Sequence, residues 1–100
     1  MIQVRYLRSF DQAFLSLPKR DQVLVENAVQ RLLDSFDDKP RPLGLGLRKL
    51  KGSFWEVRAS LNKRVLFTLD KNCATFIVVG NHDEIRRALG RSRGVSGILS

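Results

Sequence analysis

Residues 53–67, SFWEVRASLNKRVLF, gather residue types suited to holding an anion. Glu56, Arg58, Ser60 and Arg64 fall at alternate positions of two strand-like runs, so one sheet face would carry all four. A guanidinium binds phosphate or carboxylate through two parallel hydrogen bonds, and neighbouring guanidiniums repel unless an anion lies between them. Arg58 and Arg64 therefore read as a clamp for one shared anion. Glu56 lies one step along the same face, Arg48, Lys49 and Lys51 approach from the preceding segment, and His82 enters where the last strand-like run ends. Each has a plainer alternative: an open antiparallel face is commonly just solvated, Glu56 neutralises an arginine, and His82 makes local hydrogen bonds at a helix start.

The elements that would position these residues follow from periodicity. Residues 2–7 alternate as a strand. SFDQAFLSL opens with Ser9 and Gln12 in capping-box spacing and sets Phe10, Ala13, Phe14 and Leu17 on one helical stripe. Pro18 ends that helix, and residues 19–36 set Ala28, Leu32 and Phe36 along a second, so the two form an αα-hairpin. DDKPRPLGLG, residues 37–46, is a loop. Three strands follow over residues 55–61, 64–69 and 75–80, and Asn81 caps a short last helix with acids in its first turn and arginines in its last. The expected fold is α+β: an N-terminal strand, an αα-hairpin on one face of a small antiparallel sheet, and a short C-terminal helix, with the other face free. Residues 1–90 make one domain and 91–100 a mobile basic tail.

Register decides what shares the free face. Turning Trp55, Val57, Ala59 and Leu61 toward the helices requires an odd number of loop residues, most simply Leu61, Asn62 and Lys63. Val57 then pairs with Phe67, Ala59 with Val65, and Ser60 faces Arg64, leaving Arg58 diagonal to it. Phe10, Phe14, Leu32, Leu33, Trp55, Val57, Val65 and Phe67 should share one core.

Composition bounds the partners. Eighteen Lys and Arg against ten Asp and Glu give +8, and arginine outnumbers lysine twelve to six. Nucleic acid, an acidic protein or an anionic membrane would each answer that balance. No apolar run approaches the ~20 residues of a transmembrane helix, and the start lacks the apolar stretch of a signal peptide. Cys73 is the sole cysteine, which excludes an internal disulfide and a multi-cysteine metal site. A cytoplasmic protein without metal or cofactor is expected.

KLKG at residues 49–52, then FWEVR, NKRVLF and FIVVGNHDEIRR, together resemble the RelE/ParE superfamily of bacterial toxins from toxin–antitoxin modules. The resemblance covers nearly the whole chain and implies a microbial-ribonuclease-like sheet with helices on one face. It implies a cognate antitoxin, expected to be acidic, as partner. RelE-like members cut messenger RNA in the ribosomal A site without a metal; ParE-like members inhibit DNA gyrase. By position, Arg58 and Arg64 would clamp the phosphate, and Arg48, Lys49, Lys51 and Arg86 would hold flanking RNA or the ribosome.

Metal-free RNA cleavage sends the ribose 2′-hydroxyl onto the adjacent phosphorus. It needs a base, an acid for the leaving 5′-oxygen, and cations for the growing negative charge. The chain departs from the family where proton carriers usually stand. Arg86 occupies the position of a common tyrosine, and Arg48 that of a glutamate used by one subgroup. Glu56 and His82 are then the candidate proton carriers, with Asp83 a distant third. The resemblance implies an endoribonuclease first. A gyrase inhibitor, or a degenerate member that only binds antitoxin, comes second; a small RNA-binding module comes third.

Overall fold

The computed structural model describes residues 2–36 and 46–99, with side chains described as far as Arg91. The expected 37–46 loop lies, except for Gly46, outside the described residues, and so do the side chains of nearly all the expected tail. Five strands and three helices follow the order β1 (Gln3–Tyr6), α1 (Arg8–Leu15), α2 (Lys19–Ser35), β2 (Leu47–Lys49), β3 (Phe54–Arg58), β4 (Arg64–Asp70), β5 (Cys73–Gly80) and α3 (His82–Leu99). One sheet holds all five strands in the spatial order β1-β5-β4-β3-β2. β1 pairs parallel with β5, and the other pairs are antiparallel. The fold is α+β.

The first core lies between the sheet and the two N-terminal helices. Phe10 of α1 and Val25, Val29 and Leu32 of α2 pack on Val57, Val65, Phe67, Ala74, Phe76 and Val79. Trp55, Phe14 and Leu33 join it partly buried, so all eight expected core residues meet here. Phe76 sits 5.5 Å from Phe67 and 6.0 Å from Phe10, ring centre to ring centre. Each fully buried side chain of this size contributes about 1.5–3 kcal/mol. Between α1 and α2, the Gln22 amide donates to the carbonyls of Phe14 and Leu17 at the C-terminal end of α1.

The second face is not free. Phe54 and Leu66 meet Ile85 and Ala88 of α3, with Leu50, Ile77, Val78 and Leu89 around them. Ile85, Ala88 and Leu89 recur at helical spacing, so α3 presents a narrow apolar stripe to the sheet. A bulge in β5 makes this second core workable. Leu66 pairs with Val78 and Phe67 with Phe76, which leaves Ile77 as the extra residue. The extra residue reverses the alternation, so that Phe76 and Val79 both reach the first core while Ile77 and Val78 reach the second.

Two local expectations change: the last helix is not short, running 18 residues from His82 to Leu99, and the Ser9 cap is not made. α1 begins after Leu7 with no side-chain cap, and the Ser9 hydroxyl instead donates to the carbonyl of the bulged Ile77. The Asn81 cap is present and reciprocal. Asn81 Oδ1 accepts from Glu84 N–H at 2.8 Å, while Glu84 Oε1 accepts from Asn81 N–H at 2.8 Å. A Cβ on Gly80 would come within 2.8 Å of Glu84 Cβ, so a glycine is what lets this cap close against the strand end.

Candidate functional site

The β3–β4 hairpin sets the site's frame, and its register differs from the expected one. Trp55 pairs with Phe67, Val57 with Val65, and Arg58 directly with Arg64. The connection therefore spans five residues, Ala59 to Lys63, rather than three. The Ser60 hydroxyl accepts from the backbone N–H of Lys63 at 3.1 Å and of Asn62 at 3.4 Å, while the N–H groups of Ala59 and Ser60 both reach the Lys63 carbonyl. This side-chain-supported turn offsets the cost of the longer loop and takes Ser60 away from Arg64. Five and three are both odd, so the residues on each face are unchanged.

On the α3 side of the sheet, Glu56, Arg58 and Arg64 come together. Glu56 is a buried carboxylate, 7% exposed. Its Oε2 lies 3.7 Å from Arg64 Nε, an ion pair in contact but longer than a hydrogen bond. Among the described residues Arg64 is its only ion-pair partner. Arg64 Nη1 is 2.6 Å from His82 Nδ1. A guanidinium can only donate, so Nδ1 accepts and the imidazole proton sits on Nε2. His82 reaches this point because Arg64 pairs with Gly80 at the end of β5 and the Asn81 cap turns the chain there.

Arg58 is exposed and, among the described residues, has no ion-pair partner. Gly46 packs against it: Arg58 N–H donates to the Gly46 carbonyl at 3.2 Å. At its φ of +70° Gly46 adopts backbone that other residues rarely do, and a Cβ there would strike Arg58 Cβ at 2.9 Å.

Arg48, Glu56, His82 and Arg86 line one cavity of about 280 Å³ between the sheet and α3, over an apolar floor of Leu50, Ile85 and Leu89. Ile85 and Leu89 of that floor recur at helical spacing in DEIRRAL, a signal the sequence carries, whereas nothing in it marks Leu50 or the cleft's shape. Arg87 was missed; with Asp83 and Arg86 it lines an adjoining open hollow. Lys49 stands apart. Strand alternation puts it with Trp55 on the opposite side of the sheet from Arg48 and Glu56, its Nζ 5.8 Å from the Trp55 ring centre. The expectation that Lys49 shares the arginine face is corrected by that alternation. Lys51 lies exposed in the turn between β2 and β3.

Charge is divided between the layers. α1 and α2 carry Arg8, Lys19, Arg20 and Arg31 against Asp11, Asp21, Glu26 and Asp34, a balance of zero. Residues 46–91 carry ten Lys and Arg against four acids. A second hollow, about 330 Å³ between α1 and α2, is lined by Tyr6, Phe10 and Phe14 and includes Asp11 and Glu26 but, among the described residues, no cation, so it does not suit a phosphate. Tyr6, at its edge, has its phenol raised from the ordinary value of 10.0 by burial and, secondarily, by Asp11. Among the described residues no group of three His, Cys, Asp or Glu is placed to hold a metal, and no helix is long and apolar enough to cross a membrane.

Three solved structures show the same architecture. The DinJ–YafQ complex of E. coli contains a chain that matches with a TM-score of 0.69 at 15% identity, over 84% of this chain and 97% of that one. The RelB–RelE antitoxin–toxin complex of Methanococcus jannaschii matches with a TM-score of 0.62 at 16% identity, over 84% and 96%. The YoeB dimer of Staphylococcus aureus matches with a TM-score of 0.61 at 20% identity, over 81% and 97%. No family model and no curated sequence matches. The chain has the RelE-like toxin fold.

Proposed function

We propose that this chain is the toxin of a toxin–antitoxin pair and cuts messenger RNA on the ribosome by attack of the ribose 2′-hydroxyl on the adjacent phosphorus. The fold it shares with toxins crystallised beside their antitoxins supports the first half. The observation that carries the second is the hydrogen bond from Arg64 to His82 at a cleft rich in arginine.

The chemistry runs from the residues upward. A phosphate held beside His82 would meet Arg64, which contacts both Glu56 and His82, and Arg58, directly across the hairpin from Arg64. Fixed cations cost no reorganisation as charge builds on the phosphorane, and that preorganisation is where most of the rate comes from. As the 2′-O–P bond forms, the 2′-hydroxyl gives its proton to solvent; as the P–O5′ bond breaks, the 5′-oxygen takes one from solvent, and His82, exposed and carrying its proton on Nε2, can hydrogen-bond that leaving oxygen. Arg48 and Arg86 hold backbone phosphates on either side, and Lys51 extends the basic surface. An antitoxin with acidic and apolar segments would neutralise this face and block it.

Induced expression followed by mapping of transcript ends tests the reading. Growth should stop and cuts should appear within translated regions only. Gyrase-dependent DNA breaks with intact transcripts would transfer the function to the replication machinery.

A further inference from the structure

We propose that Glu56 is a positioning residue, whose buried carboxylate fixes Arg64 so that Arg64 in turn locks His82 with its proton on Nε2. This inference rests on the nuclease reading for its consequence, though not for its geometry. A carboxylate within hydrogen-bond reach of the 2′-hydroxyl is an obvious base, and among the described residues Glu56 is the one carboxylate lining the cleft. Its placement argues otherwise. A base must reach the proton it takes, and Glu56 is almost fully buried at mid-strand, between Trp55 and Val57.

What Glu56 does touch is Arg64. Its oxygen faces Nε, on the inner edge of the guanidinium, and leaves the outer Nη1 to His82. A guanidinium is planar and rigid, so holding one edge fixes the direction of the others. A buried carboxylate needs a counter-charge, and Arg64 is the cation that supplies it. The three residues come from three elements: Glu56 from β3, Arg64 from β4 and His82 from the first turn of α3. The order of contacts gives them different duties. Arg64 contacts both Glu56 and the imidazole, whereas Glu56, although it lines the same cleft as His82, makes no hydrogen bond or ion pair with it among the described residues.

His82 is the only histidine in the chain, so its imidazole gives a single set of nitrogen signals. Long-range proton–nitrogen spectra of the intact protein at about pH 8, above the ordinary imidazole range, read its tautomer without any ribosome. The wild type should show one tautomer, protonated at Nε2, and a slowly exchanging Arg64 Nε–H. In Glu56→Gln the imidazole should move to the averaged values of a free side chain, and Arg64 Nε–H should exchange about tenfold faster or more. Glu56→Asp, which keeps a carboxylate, should recover part of that protection. Transcript cleavage by Glu56→Gln should fall about a hundredfold, as misplaced groups typically cost, mainly in kcat. Averaged imidazole signals in the wild type would overturn the proposal. So would a Glu56→Gln protein that loses cleavage while His82 and Arg64 keep their wild-type signals, because Glu56 would then be the base. An inactive wild type with the expected spectra would defeat the nuclease reading alone.

Discussion

Arg58 and Arg64 stand directly opposite each other on adjacent strands, yet among the described residues only Arg64 has a carboxylate as ion-pair partner. Like charges facing across a hairpin repel, and Glu56 relieves that repulsion from one side. Replacing the two arginines should therefore have unequal structural costs. Arg58→Ala removes an exposed side chain and should cost less than about 1 kcal/mol. Arg64→Ala strands Glu56 without its counter-charge and should cost roughly 1–3 kcal/mol. Denaturant unfolding of both variants measures the difference, and adding Glu56→Gln to Arg64→Ala should recover part of the loss. Equal costs would mean that the ion pair contributes nothing.

The second core makes a prediction about the cleft. Ile85 is buried between α3 and the sheet, beneath the cavity lined by Arg86 and His82. Ile85→Ala should lower stability by about 2–5 kcal/mol, as truncating a buried aliphatic does. It should also loosen α3 enough to reduce cleavage at temperatures where the protein remains folded. Thermal unfolding beside a cleavage assay separates the two effects.

Salt dependence distinguishes the cations by side of the sheet. Arg48 and Arg86 line the cleft, while Lys49 lies over Trp55 on the other side. Neutralising Arg48 or Arg86 should flatten the salt dependence of RNA binding by about one unit each. Lys49→Gln should leave the slope unchanged. A slope that responds to Lys49 and ignores Arg86 would move the binding surface to the other face.

The β4–β5 turn supplies a control. Lys71 and Asn72 both have positive φ, 47° and 67°, the geometry of a tight two-residue hairpin turn that favours Asn and Gly. Lys71→Asn should stabilise the fold by about 0.5 kcal/mol, within the spread of such turn effects, and leave cleavage untouched. Melting temperature and activity, measured together, check both halves.

Much of this was legible in the sequence because parity is a strong constraint. Alternation alone put Val57, Val65 and Phe67 with the helices and Glu56, Arg58 and Arg64 on the other face, since a slip by one residue would have buried the arginines. It could not fix the register itself. A shift of two pairing positions preserves every face, and the Ser60 turn that decided between a three- and a five-residue connection acts through one hydroxyl. The bulge at Ile77 was hidden because FIVV reads equally well as a plain buried strand. α3 was recognised from its cap and charges, but its apolar stripe of Ile85, Ala88 and Leu89 is narrow, so the face it covers was expected to be open. Lys49 was grouped with Arg48 by sequence proximity, although neighbours on a strand point to opposite sides.

The most direct test of the account uses ribosomes programmed with a message whose scissile nucleotide carries either the natural ribose or a 2′-deoxyribose. If the cleft drives attack by the 2′-hydroxyl, wild-type protein should cut the ribose message and leave a 2′,3′-cyclic phosphate end. The deoxy message should resist, and Arg64→Ala should cut the ribose message a hundredfold to a thousandfold more slowly, the usual cost of one lost preorganised donor. Cleavage of the deoxy message at the wild-type rate would contradict the mechanism and the role given to Arg58, Arg64 and His82.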